Sequence, residues 1–262
     1  MSERPQPIET AQKFINTYFS NCHAAVLAGS VVRGEETLTS DLDIVVFDQM
    51  LDHAYRESTL FEGWPIEVFV HNLSSYKDFF ESDCDQARPS LPRMVAEGFV
   101  LKDKGILVKI KEEAQNLLQK GPAKWTTDTI DLKRYFITDA LDDLSGANNR
   151  GEEIFIASHL AELLSEFYLR TNGQWVGNSK WIVRSLKQFD KEFANRFVDI
   201  FDEFYRSGSK ENINHNAIQK NMIIQFYMIR KISFIQMIFC FYKSGPQSLK
   251  ERYLISPAEL VE

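Results

Sequence analysis

Ala25-Val26-Leu27-Ala28-Gly29-Ser30 is followed by Val31-Val32-Arg33-Gly34 and then by Ser40-Asp41-Leu42-Asp43-Ile44-Val45-Val46-Phe47. An apolar run stops at Gly-Ser, a polar connector intervenes, and a second apolar run opens with two acids separated by one leucine. Ala25 to Leu27 read as a buried strand. Gly29 has no Cβ, so the backbone there can come close to a ligand. Residues 31–36 are expected to open a short helix whose N–H groups face that ligand and make an anion site. Arg33 adds a forked cation suited to phosphate. Side chains alternate across a strand, so Asp41 and Asp43 share one face while Leu42, Ile44 and Val46 point into a core.

Two carboxylates so placed repel by about 4 kcal/mol at an effective dielectric near 20. Such a pair is held ionised by a cation or shares a proton. A phosphate cradle beside it suits Mg²⁺ bridging to a nucleotide triphosphate, because that ion takes carboxylates together with substrate phosphates.

Further along, Trp64-Pro65-Ile66-Glu67-Val68-Phe69-Val70 sets one acid inside an otherwise apolar strand. A strand-end acid pair used only for capping and solubility would leave that acid unexplained. The ordered set is apolar-Gly29-Ser30, ten residues (31–40), Asp41-Leu42-Asp43-Ile44, then Glu67. It resembles the nucleotidyltransferase superfamily that includes DNA polymerase beta, and especially its small antibiotic-modifying members. The resemblance implies that Asp41, Asp43 and Glu67 hold two Mg²⁺ ions. It implies that Gly29, Ser30 and Arg33 cradle the triphosphate of ATP or another nucleotide. The implied reaction moves a nucleoside monophosphate, AMP by analogy, to a hydroxyl of a small molecule such as an aminoglycoside or lincosamide, with release of pyrophosphate. Two other functions fit the same motif: adenylylation of a partner protein, and nucleotide binding without catalysis. The intact acid set argues against the last.

Bulk composition narrows the class. The 262 residues suffice for one large domain or two small ones, and 44% apolar with 26% charged residues is ordinary for a globular chain. A net charge of −7 removes a general electrostatic footprint for nucleic acid. Cys22, Cys84 and Cys240 are far apart and odd in number, which argues against a disulfide framework and for a reducing, cytoplasmic setting. Met-Ser-Glu-Arg-Pro carries no secretory pattern.

In chain order, residues 7–20 read as a helix, with Ile8, Ala11, Phe14, Ile15 and Phe19 at helical spacing. A short helix is expected around 52–61. Residues 74–83 read as a helix capped by Ser74, 89–97 as another, 98–103 as a strand, and 106–120 as a helix stopped by Gly121-Pro122. Beyond that point the strand signal disappears. The expected architecture is α+β: a mixed-sheet catalytic domain over 1–120 and a helical bundle over 121–262 for acceptor binding and dimerisation. Thr127, Ser179 and Asp190 stand where helices can begin. Asp83-Cys84-Asp85 reads as solvated surface, and Trp175 and Trp181 as packing residues.

Met222–Tyr242 spans about a bilayer length of ~21 residues. It carries Gln225, Arg230, Lys231 and Gln236, and each central cation costs about 2.5–3.5 kcal/mol in lipid. It is therefore read as part of a buried helix over 214–243, with no membrane contact. Its apolar surface exceeds what one side of a small bundle covers, so a homodimer is expected.

Hydroxyl transfer benefits from a base. His159, Glu162 and Glu166 lie at i, i+3 and i+7, and Glu166 precedes a Gly173-Gln174-Trp175 end. This loosely resembles the Glu-rich helix of the kanamycin-modifying members. That resemblance makes Glu166 the first candidate base and Glu162 the second, against a solvated stripe. Lys180 and Arg184 lie four apart and read either as phosphate ligands or as surface cations. Ser40 reads either as a turn cap or as a phosphate ligand.

Overall fold

The computed structural model describes residues 4–210 and residue 213. Among these the chain forms two compact units. One comprises residues 4–124 and 172–177, and the other 125–171 with 178–210 and 213. The architecture is α+β, with all strands in the first unit.

The first unit is built on a five-stranded sheet in the order β3-β4-β2-β1-β5. The strands are β1 (Ala24–Ala28), β2 (Leu42–Phe47), β3 (Tyr55–Phe61), β4 (Trp64–His71) and β5 (Phe99–Asp103). After β2 the chain runs to the outer edge, makes β3, turns back, and lays β4 between them. Hence β2 and β4 pair in parallel while the other neighbours are antiparallel. At its central strands the sheet is buried on both faces. On one, Leu42, Ile44, Val46, Ile66, Val68 and Val70 pack with Ala11, Phe14 and Ile15 of α1 (Pro7–Tyr18). On the other, Val26, Val45 and Phe47 pack beneath three helices: α2 (Ser75–Asp85), α3 (Ser90–Glu97) and α4 (Leu107–Lys120). A strand covered on both sides reads as a near-continuous apolar run, as β1 and β2 do.

Three expectations fail here. Residues 55–61 form an edge strand, not part of a helix. Glu62 and Gly63 both take positive φ, at 47° and 83°, which is what a two-residue primed hairpin turn requires. That turn pairs Phe61 with Trp64 and brings β3 back along β4. The strand is exposed on nearly its whole length. It therefore lacks the apolar alternation that marks a half-buried strand. Residues 31–36 likewise form irregular turns and not a helix. Gly34 sits at φ 66°, where a right-handed helix cannot continue. Ser74 is the first cap residue of α2, but its side chain does not cap. Asn72 Oδ1 accepts instead from the N–H groups of Ser74 and Ser75 at 2.9 and 2.7 Å.

The second unit is helical: α5 (Thr127–Gly146), α6 (Arg150–Thr171), α7 (Lys180–Phe189) and α8 (Lys191–Ser207). Thr126, one residue before the expected cap, accepts from Thr129 N–H. Asp190 caps α8 by accepting from Phe193 N–H at 2.9 Å. Arg150 donates to the carbonyls of Phe204 and Tyr205 at 3.0 and 2.8 Å near the end of α8, where the Phe204 carbonyl also accepts the Gly208 N–H at 2.9 Å. Between α6 and α7 the chain returns to the first unit. There Val176 N–H donates to the Ala87 carbonyl at 2.9 Å and Trp175 Nε1 to the Leu118 carbonyl at 3.0 Å. Trp175 is thus a packing residue. No helix among the described residues is long and apolar enough to cross a membrane. The expected helix over 214–243, with the dimer expectation resting on it, lies outside the described residues.

His71 ends β4 and is 4% exposed, against Phe47 and Phe79, and its Nδ1 has no hydrogen-bond partner among the described residues. Burial pushes its pKa down from 6.5 to about 4. The folded value lies below the unfolded one, so the unfolded chain binds the proton more readily. Stability is full above pH 6.5 and falls as pH drops toward 4, by about 3 kcal/mol. Urea unfolding at pH 7 and pH 4 should show wild type losing about that much more than His71→Leu. Equal losses would mean that His71 does not titrate on unfolding.

Candidate active site

Asp41 stands just before β2 and Asp43 is its second residue. In the parallel β2–β4 pair, Asp43 is in register with Glu67, so the two acids share a face as period-2 alternation demands. One carboxylate oxygen from each of Asp41, Asp43 and Glu67 lies within 4.8 Å of the others. At that separation each ionised pair repels by roughly 3.5 kcal/mol at an effective dielectric of about 20. The scaffold withstands this because Leu42, Ile44, Ile66 and Val68 are essentially inaccessible to solvent. Each such side chain contributes roughly 1.5–3 kcal/mol of burial. Strand packing fixes the acids; the acids do not fix the strands.

Gly29 closes the site from β1. Its φ is 81°, and a Cβ built there would lie 2.1 Å from Asp43 Oδ2. The glycine is needed twice over: for its backbone conformation, and for the space taken by the Asp43 carboxylate. After it, the connector is tied to itself. Ser30 Oγ donates to Ser40 Oγ at 3.1 Å, and Thr37 N–H donates to Ser40 Oγ at 2.8 Å. Ser40 therefore closes the connector as a turn cap. The turns are held by Arg33 N–H and Glu35 N–H donating to the Ser30 carbonyl at 3.2 and 2.9 Å. Arg33 is half-buried and ion-paired with Glu35 at 3.1 Å.

One side chain that meets the triad escaped sequence reasoning. Arg56 on β3 donates through Nε to Glu67 Oε1 at 2.7 Å, and through Nη2 to the same oxygen. Ser58 Oγ also donates to Oε1, at 3.4 Å. Arg56 stands opposite Phe69 and Ser58 opposite Glu67 across the hairpin, so both share Glu67's face. The sole local signal was Glu62-Gly63, from which the register could have been counted.

Glu166, Glu162 and Lys180 belong to the second unit. Glu166 is half-buried on α6 and accepts from Lys133 Nζ at 2.7 Å. Glu162 and His159 are exposed, which matches a solvated stripe. Lys180 is exposed at the start of α7. The acid of the Asp83-Cys84-Asp85 run that contacts backbone is Asp83, whose Oδ2 accepts from Leu91 N–H at 2.7 Å near the start of α3.

The donor set of the triad is all carboxylate oxygen, half-buried, with no soft ligand. That fits a hard divalent cation such as Mg²⁺ or Mn²⁺. No family model and no curated protein matches the chain. Among solved structures, the chain is similar to a nucleotidyltransferase-like protein from Exiguobacterium sibiricum 255-15. The identity is 9%, the match covers 77% of this chain and 68% of that one, and the TM-score is 0.40.

Proposed function

We propose that this chain is a metal-dependent nucleotidyltransferase. In this reading it moves a nucleoside monophosphate from ATP or another nucleotide triphosphate to a hydroxyl of a small molecule and releases pyrophosphate. The observation that carries the reading is the in-register meeting of Asp43 and Glu67 on parallel strands, with Asp41 beside them and Gly29 leaving the space. Asp41, Asp43 and Glu67 would hold two divalent ions. When bound, such ions stabilise the attacking and leaving oxygens of an in-line displacement. Ser30, Arg33 and Ser40 line the connector after Gly29 and would receive the triphosphate. Their present partners include Glu35 for Arg33, Ser40 for Ser30, and Ser30 and Thr37 for Ser40, all polar groups that an anion can replace. Lys180 is kept as a candidate phosphate ligand. The acceptor proton goes to a carboxylate, with Glu166 proposed first and Glu162 second. By the motif resemblance, the acceptor class is an aminoglycoside or lincosamide antibiotic, with residues 121–262 on the acceptor side.

Pyrophosphate release tests this directly. The chain is mixed with each nucleotide triphosphate, Mg²⁺ and a panel of hydroxylic acceptors. Release that needs both the metal and an acceptor is expected. No release with any nucleotide, at a protein concentration giving many turnovers of a slow enzyme, would contradict the reading. Label recovered on protein instead of the small molecule would move the acceptor to a polypeptide.

A further inference from the structure

We propose that Arg56, supported by Ser58, is the positioning residue of Glu67; this rests on the metal-site reading above. Among the described residues, the three donors to Glu67, Arg56 Nε, Arg56 Nη2 and Ser58 Oγ, converge on Oε1. Among the described residues, Oε2 accepts no hydrogen bond. A carboxylate gripped at one oxygen keeps its rotamer and presents the other. Here Oε2 is left for a metal ion, on a carboxylate that has one oxygen within 4.8 Å of a ligand oxygen from each of Asp41 and Asp43. Hydrogen bonds to a ligating carboxylate orient it in this way, and their loss typically weakens metal binding 10- to 100-fold.

Charge points the same way. Three converging carboxylates carry three negative charges, and the guanidinium offsets one of them on the outer side. Arg56 is 62% exposed whereas Glu67 is 18% exposed, so the arginine reaches in from the rim. It is braced there by the Phe69 ring, 5.0 Å from its guanidinium carbon, directly across the hairpin. The same exposure means the pair adds little to fold stability. Its orientation is what matters, and a fork of two N–H groups on one oxygen cannot be copied by an ammonium.

The test is equilibrium Mn²⁺ binding to the full chain, followed by electron paramagnetic resonance, with melting temperature measured alongside without added metal. Arg56→Gln should weaken Mn²⁺ binding about tenfold with little change in melting temperature. Arg56→Lys should restore only part of that loss. Ser58→Ala should weaken binding less than Arg56→Gln. If Arg56→Gln binds Mn²⁺ as tightly as wild type, or more tightly, while Glu67→Gln weakens it, the positioning role is overturned and the metal site stands. If wild type itself binds no Mn²⁺, the metal reading fails and this inference with it.

Discussion

Gly29→Ala should lose at least about a hundredfold in transfer rate and about tenfold or more in divalent-ion affinity while still folding. Two effects act together. Alanine at φ 81° is strained by roughly 1 kcal/mol or more. Its methyl would also lie 2.1 Å from Asp43 Oδ2, so the carboxylate must swing away from Asp41 and Glu67. Gly34 separates the two. It sits at φ 66° with nothing within 4 Å of where a Cβ would stand. Gly34→Ala should therefore lower the melting temperature by a similar few degrees and leave metal binding intact. Equal damage to metal binding from both substitutions would show that strain alone matters, and that Gly29 is not shaped around Asp43.

Asp43→Asn should lower transfer by at least about a thousandfold, since the metal's stabilisation of transition-state charge is worth several kcal/mol. Asparagine keeps the shape and loses the charge. It also removes repulsion from Asp41 and Glu67, so the melting temperature without metal should be unchanged or slightly higher. Asp43 lies between Leu42 and Ile44, both fully buried, and the strand does not depend on the acid for its place. A variant with near-normal turnover in Mg²⁺ would remove Asp43 from the chemistry.

What could be read from the chain followed from periodicity. Leu42, Ile44 and Val46 alternate with Asp43 and Val45, and Ile66, Val68 and Val70 alternate with Glu67, so the shared face of the acids was legible before any coordinates. The covering of the second face was not, because Val45 and Phe47 could equally have faced solvent until α2, α3 and α4 were placed over them. The β3 strand was illegible because an exposed edge strand has no apolar face to betray it. Its only marker was the two-residue Glu62-Gly63 turn. Missing that turn hid Arg56, whose meeting with Glu67 depends on hairpin register. The connector after Ser30 was misread for a related reason. Val31 and Val32 begin like a helix, but Gly34 and the Ser30–Ser40 and Thr37–Ser40 hydrogen bonds close it within turns. The return of Val176 to Ala87 joins residues far apart in sequence, and no local pattern announces it.

The most direct measurement of the central claim is Mn²⁺ binding by electron paramagnetic resonance to wild type, Asp43→Asn and Glu67→Gln side by side. Wild type should bind the ion at one or two sites. Asp43→Asn and Glu67→Gln should each weaken binding about tenfold or more, with folds unchanged by circular dichroism. Mn²⁺ binding that is unaffected by both substitutions would contradict the account, because the acids that β2 and β4 bring together would then not be the metal site.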